Sequence, residues 1–136
     1  MFRFKAFGDV GFFDPEFFLY YEEVDLMRRF NEAQWRIIYE PRARILHEEG
    51  AATRQFARQV ARQRDPSYLY HSWRHYFTKS HGRMGALVIA LLMLPAALLN
   101  VLHRGLRGKP PTLPRWFFVD HVNLVITPLI FGVSKK

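Results

Sequence analysis

Three carboxylates stand close together in GFFDPEFFLYYEEVDL, residues 11–26: Glu22, Glu23 and Asp25 follow a run of aromatic residues. Carboxylates set against apolar rings are raw material for a general base, because burial and neighbouring charge move their pKa toward the working range. The same acids also suit the first turn of a helix, where they complement the macrodipole, and on spacing alone this is the stronger reading. Asp25 precedes Arg29 by four residues, the favourable order for an intrahelical ion pair, so structural pairing is the leading role of Arg29. Glu22 and Glu23 are adjacent, and adjacent helical side chains diverge by about 100°. They therefore do not flank one bond as the acids of a small hydrolase would. Elsewhere His71 and His75 stand four residues apart. Without the Glu of a His-Glu-x-x-His site, they read as a basic stripe facing a membrane.

The elements that must position these groups follow from periodicity. Val24, Met27 and Phe30 at helical spacing predict a helix over 23–33. The apolar runs WRIIY (35–39) and ARILH (43–47), split by Glu40-Pro41-Arg42, predict two strands and a turn, with His47 ending the second strand. A polar helix is expected over 53–64, stopped by Asp65-Pro66, and another over 67–80 with Leu69, Trp73, Tyr76 and Phe77 on one face. Residues 85–102 carry no charge and would span about 27 Å as a helix, just enough for a hydrocarbon core of about 30 Å. Pro95 and Asn100 are compatible with a kinked or re-entrant segment. The second apolar stretch, 116–133, contains Asp120, His121 and Asn123 and reads better as an interfacial segment anchored by Trp116, Phe117 and Phe118.

Composition narrows the classes. Of 136 residues, 20 are Lys or Arg and 12 are Asp or Glu, giving net charge +8, so the expected partner is anionic. Arg54, Arg58, Arg62 and Arg64 on one helix have few aromatic neighbours to stack on bases, which favours lipid headgroups over nucleic acid. Cysteine is absent, excluding disulfides, a thiolate nucleophile and Cys-based zinc sites. The N-terminal MFRFKAFGDVGFF lacks the apolar core and cleavage site of a signal peptide and reads like the interior of a domain. Basic residues flank 85–102 on both sides, Lys79 and Arg83 before it and Arg104, Arg107, Lys109 and Arg115 after it. The positive-inside rule then favours a re-entrant or in-plane arrangement over a simple two-span hairpin.

Taken in order, Val10-Gly11, Phe13-Asp14, Phe17-Phe18, Tyr20-Tyr21, the acids 22–25 with Leu26, Trp35-Arg36-Ile37, Pro41 and His47 resemble the C-terminal half of the catalytic domain of family 2 glycosyltransferases, particularly rhamnosyltransferase-like members. The resemblance covers residues 4–50 and continues more weakly through Tyr70-His71-Ser72. It implies an α/β, partial GT-A-like fold lacking its N-terminal half, followed by a helical, membrane-associated region. The expected divisions are 1–52 for the acceptor side of the catalytic domain, 53–83 for basic amphipathic helices and 84–136 for the hydrophobic region.

The implied activity is inverting transfer from a nucleotide-sugar donor to an acceptor hydroxyl on a polysaccharide or glycolipid, at the cytoplasmic face of a membrane. The resemblance makes Glu23 the general base, with Glu22 tuning it or positioning the acceptor, and places Asp25, Tyr21 and Phe18 on the acceptor side. His47 matches a histidine near the donor diphosphate that can ligate a divalent metal, Mg or Mn. The donor-binding strands and the Asp-x-Asp motif have no counterpart before Glu22, so a separate polypeptide stretch is expected to supply them. Three positions depart from the family pattern: Phe12 and Gln34 where it has glycine, and Glu23 where it has Asp. The alternative reading is a small basic membrane-anchored protein that binds anionic lipid surfaces.

Overall fold

The structure, a computed structural model, describes residues 2–44, 64–110 and 112–132. Its elements are α1 (Phe4–Val10), α2 (Glu22–Glu32), α3 (Ser67–Leu106), α4 (Phe117–His121), a π-helical turn (Val122–Ile126) and α5 (Thr127–Phe131). α2 is the helix expected at 23–33. Its buried face differs from the expected one, because it is built on Asp25, Leu26 and Phe30 while Val24 faces solvent. Leu26 and Phe30 pack on Ala6 of α1, with Phe7, Val10, Met27 and Trp35 closing around them.

α2 ends in a Schellman motif. The Trp35 N–H donates to Phe30 O at 2.9 Å and the Gln34 N–H to Asn31 O at 3.0 Å, which satisfies carbonyls that the helix end would leave open. The motif requires a left-handed residue at the position after the cap, and Gln34 adopts it, with φ 61°. A side chain there costs about 1 kcal/mol relative to glycine, the residue the family pattern carries at this position. Phe12 shows no such strain, because the positive φ falls on Gly11, at 77°.

The strand expected at 35–39 does not form, and no strand occurs among the described residues. A strand needs a neighbour for its ladder. The run 43–47, its expected partner, leaves the described residues after Arg44, which also places the His47 reading outside them. The intervening turn is present, closed by Ala43 N–H to Glu40 O at 3.0 Å. The polar helix expected at 53–64 lies outside the described residues except for Arg64.

The two helices expected at 67–80 and 85–102 are arms of one element, α3, joined at Gly82 with φ 70° and ψ 169°. That conformation is open almost only to glycine. Pro95 lies inside the second arm, yet the non-helical residue within α3 is Gly82. The chain therefore does not turn back within 85–102, as a re-entrant segment would. It returns instead through α4, the π turn and α5, running antiparallel to the second arm. Arg83 meets Leu129 and Ile130, His121 meets Ala90, and Thr112 meets Asn100. The basic residues before and after 85–102 consequently stand at opposite ends of a helical hairpin.

Small residues set the hairpin's contact face. Ala86 and Ala90, both fully buried, let the returning helix approach closely, and Val125, Ile126 and Leu129 fill the seam together with Tyr70 and Trp73. The opposite face exposes Met84, Val88, Leu91, Leu92, Leu98, Leu99 and Leu102. Of the most apolar window of α3, with mean hydropathy 2.4, 17% is buried among the described residues. α3 is long and apolar enough to cross a membrane. Of the polar residues expected in the second apolar stretch, Asp120 and His121 are buried and Asn123 is exposed: Asp120 accepts from Arg64 Nε at 2.6 Å, and His121 Nε2 donates to Ala90 O at 2.9 Å.

Replacing Gln34 with glycine is expected to stabilise the fold by about 1 kcal/mol, read from thermal or denaturant unfolding in neutral detergent. Gly82→Ala meets no steric contact from its added Cβ, so its cost is conformational alone. It is expected either to destabilise the fold by about 1–3 kcal/mol or to straighten α3. Spin-label distances between the two arms distinguish straightening from a kink that survives the substitution.

Candidate functional site

The carboxylates expected to do chemistry separate into two kinds. Asp25 is fully buried and its oxygens are occupied: Oδ2 accepts from Arg29 Nε at 2.9 Å and from Lys79 Nζ at 2.9 Å, and Oδ1 accepts from Arg28 Nη2 at 3.3 Å. The Asp25–Arg29 pair is thus present, but Arg29 does more than pair. It also donates to the carbonyls of Val10, Gly11 and Phe12, fastening the end of α1 and the start of the aromatic loop to α2. Glu22 and Glu23 make no ion pair among the described residues. Glu23 is exposed, whereas Glu22 is half-buried with Oε2 enclosed and without a hydrogen-bond partner among the described residues.

The turn that presents them is strained. Tyr20 and Tyr21, immediately before Glu22, both adopt left-handed conformations, with φ 68° and 70°. Consecutive non-glycine residues there cost about 1–2 kcal/mol each and persist when their surroundings over-determine them. The first arm of α3 supplies those surroundings. Ser72 Oγ donates to Leu19 O at 2.8 Å, Tyr21 stacks on Tyr76 at 5.2 Å, and Tyr20 lies parallel to Tyr68 at 6.3 Å. Phe17 is buried edge-on against His75, while Phe18 is 79% exposed beside Tyr68. Of the rings expected near an acceptor, Tyr21 is therefore packed and Phe18 is open.

Lys79 joins the loop to α2. Its Nζ donates to Asp14 Oδ2 at 2.6 Å as well as to Asp25, and His75 Nε2 stands 3.1 Å from the same Asp14 oxygen. Asp14 Oδ1 meanwhile accepts from the Glu16 amide at 3.0 Å, fixing the Asp-Pro turn. Burial pushes the Asp14 carboxyl up, but the Lys79 hydrogen bond, the Glu16 amide and His75 together hold it well below the usual carboxylate range. Burial likewise opposes ionisation of Asp25, and Lys79, Arg29 and Arg28 override it. Desolvation would lower the Lys79 pKa, and its two acids raise it instead. Sequence reasoning gave no role to Asp14 and counted Lys79 only as a flanking charge; the position of Asp14 inside the family motif was the available signal.

Among the described residues no three His, Asp or Glu side chains converge as metal ligands. Asp14 and Asp25 are committed to cations, and His75 shares Asp14 rather than pairing with His71. No side-chain set among the described residues fits a divalent ion. Of the basic row 54–64, Arg64 is described and is paired with Asp120.

Curated proteins similar to this chain include the N-acetylglucosaminyl-diphospho-decaprenol L-rhamnosyltransferases of Mycobacterium tuberculosis strains CDC 1551 / Oshkosh and ATCC 25618 / H37Rv. Each is 39% identical over 74 residues, which are 54% of this chain and 24% of the relative. The match therefore covers about a quarter of each relative's length, and over that stretch the chain is glycosyltransferase-like in sequence. No family model matches the chain, and no solved structure does.

The depressed Asp14 and Asp25 pKa values fix the sign of the acid response. Their contribution is fully present above the ordinary carboxylate value of 3.8 and is lost as pH falls through the lower folded values. Lys79→Met removes the shared ammonium and is expected to destabilise the fold by about 2 kcal/mol at neutral pH. It should also move the acid-unfolding midpoint upward, followed by circular dichroism. An unchanged midpoint would show that Lys79 does not hold the two acids.

Proposed function

We propose that this chain is the acceptor-side, membrane-associated part of an inverting glycosyltransferase. The observation that carries the reading is the 39% identity over 74 residues to rhamnosyltransferases, together with a motif whose two uncommitted acids start one helix. In this reading residues 1–52 belong to a partial GT-A-like α/β domain. The nucleotide-sugar donor, and the Mg or Mn ion that the resemblance implies, are held by a donor-binding half on another stretch of polypeptide. The relatives' name specifies a lipid-linked acceptor, and an acceptor of that kind suits a chain whose α3 exposes an apolar face long enough to enter a membrane. The catalytic part then lies on the cytoplasmic face.

Glu23 is the base in this proposal. Its carboxylate is exposed and uncommitted among the described residues, so an acceptor hydroxyl can reach it. The hydroxyl oxygen bonds to the anomeric carbon, its proton passes to the Glu23 carboxylate, and the bond from that carbon to the diphosphate oxygen breaks with its electron pair leaving on the nucleoside diphosphate. The configuration inverts because attack and departure occur on opposite faces. A carboxylate suffices, since the hydroxyl becomes acidic as it bonds to the electron-poor carbon. Glu22, with one enclosed and unpartnered oxygen, orients the acceptor or acts on Glu23 through its charge. Asp25 serves the site by holding α2 in place.

The test is sugar transfer to a lipid-linked N-acetylglucosamine acceptor by the chain expressed with its upstream coding region. Glu23→Gln is expected to lower the rate by at least about 100-fold with the helical fold retained. Full activity in that variant would remove Glu23 as the base.

A further inference from the structure

A broad groove of about 490 Å³ lies between the first arm of α3 and the end of α5. Its size is in the range of small-ligand sites. Its polar lining holds two arginines, Arg74 and Arg83, the imidazoles of His71 and His75, and Glu16 and Thr78. Neither arginine meets a carboxylate among the described residues. Arg74 Nη1 donates to Leu124 O at 2.6 Å, and Arg83 donates to Leu129 O at 2.5 Å and Ile130 O at 2.6 Å. These carbonyls orient the guanidinium groups without neutralising them. Burial accordingly pulls the Arg74 pKa down with no acid to oppose it, and burial and then Arg74 itself depress His71. His71 has no hydrogen-bond partner among the described residues, and His75 is held by Asp14. A partly buried guanidinium without an acid partner among the described residues, in a groove that a second arginine also lines, suits an anion with several oxygens.

The groove's position limits which anion. Arg83 immediately precedes the apolar part of α3, and that arm exposes Met84, Val88, Leu91 and Leu92 within its first turns. A lipid headgroup is the anion that brings phosphate oxygens to the start of an apolar helix long enough to cross a membrane. We propose that the groove lined by His71, Arg74 and Arg83 binds the phosphate or diphosphate group of a membrane lipid. This deepens the transferase reading by assigning the lipid-linked acceptor's anionic group to residues outside the Glu22–Glu23 turn. Arg74 and Arg83 grip the phosphate oxygens, and His71, freely placed at the groove, adds a third donor. Glu16 sets a limit on net negative charge there.

The experiment measures equilibrium binding of farnesyl diphosphate to the full chain in phosphatidylcholine vesicles, with inorganic diphosphate as soluble competitor and phosphatidylglycerol vesicles as a general anionic surface. Saturable binding of farnesyl diphosphate is expected, at least about tenfold tighter than inorganic diphosphate. His71→Glu, at an exposed position with no partner to lose, is expected to weaken it about tenfold or more while circular dichroism stays unchanged. Arg74→Lys keeps the charge but not the fork and is expected to weaken it less. Unchanged binding in His71→Glu overturns the site. Equal competition by inorganic diphosphate overturns the lipid assignment in favour of a free diphosphate, and equal affinity for phosphatidylglycerol overturns it in favour of general surface attraction. The readout is binding rather than transfer, so failure of the groove and failure of Glu23 as base appear in separate measurements.

Discussion

The ammonium of Lys79 lies between the carboxylates of Asp14 and Asp25, 2.6 Å from one and 2.9 Å from the other, and three parts of the chain meet there. Asp14 belongs to the aromatic loop, Asp25 to α2, and Lys79 to the arm of α3 that leads through Gly82 into the apolar helix. A fully buried carboxylate such as Asp25 is tolerable only if its charge is answered. Arg28 and Arg29 answer it from its own helix, and these contacts alone would hold no tertiary arrangement. Lys79 converts a local pairing into a tertiary one. Because it stands one turn before the kink, it also ties the place of the acid motif to the start of the arm that faces lipid in the proposed reading.

That clamp explains how the turn before Glu22 can remain strained. Two left-handed tyrosines in succession would relax in an isolated peptide. Here Ser72, Tyr68, Tyr76 and Phe77 of α3 grip the loop on one side while Arg29 grips its beginning. The strained turn then delivers Glu22 and Glu23 at the start of α2, uncommitted where their neighbour Asp25 is saturated. Strain and an unpartnered carboxylate oxygen at one turn are both unfavourable for folding. In the proposed reading that coincidence shapes the acceptor site.

What was legible in the sequence was local. Helical spacing located α2 and the first arm of α3, an uncharged run located the second arm, and the i,i+4 rule identified Asp25 with Arg29. The left-handed residue at Gln34 was foreshadowed by the glycine that the family pattern carries there, since only a cap geometry makes that glycine matter. The expected strand at 35–39 failed for the opposite reason: β-propensity describes a residue's fit to a sheet, and no neighbouring strand is present among the described residues to receive it. Lys79 with Asp14 and Asp25, Arg64 with Asp120, and Arg74 with Leu124 join residues far apart in the chain. No periodicity reports such contacts. Val24 shows the limit even within a helix, because which face is buried was decided by α1 and α3 rather than by the helix itself.

The returning helix adds a last constraint. Its central turn is π-helical, and wider winding of this kind displaces backbone hydrogen bonds from the regular ladder. Leu124 lies in that turn, and its carbonyl is the one Arg74 takes up. Arg83 does the same for Leu129 and Ile130 at the end of α5. Two arginines are thereby spent on neutral backbone oxygens, in a protein that pairs Arg64, Lys79, Arg28 and Arg29 with acids. Had carboxylates closed the hairpin instead, the groove beside it would be electrically quiet. Carbonyl closure joins the helices and leaves the positive charge in place, at the level where α3 turns from polar to apolar.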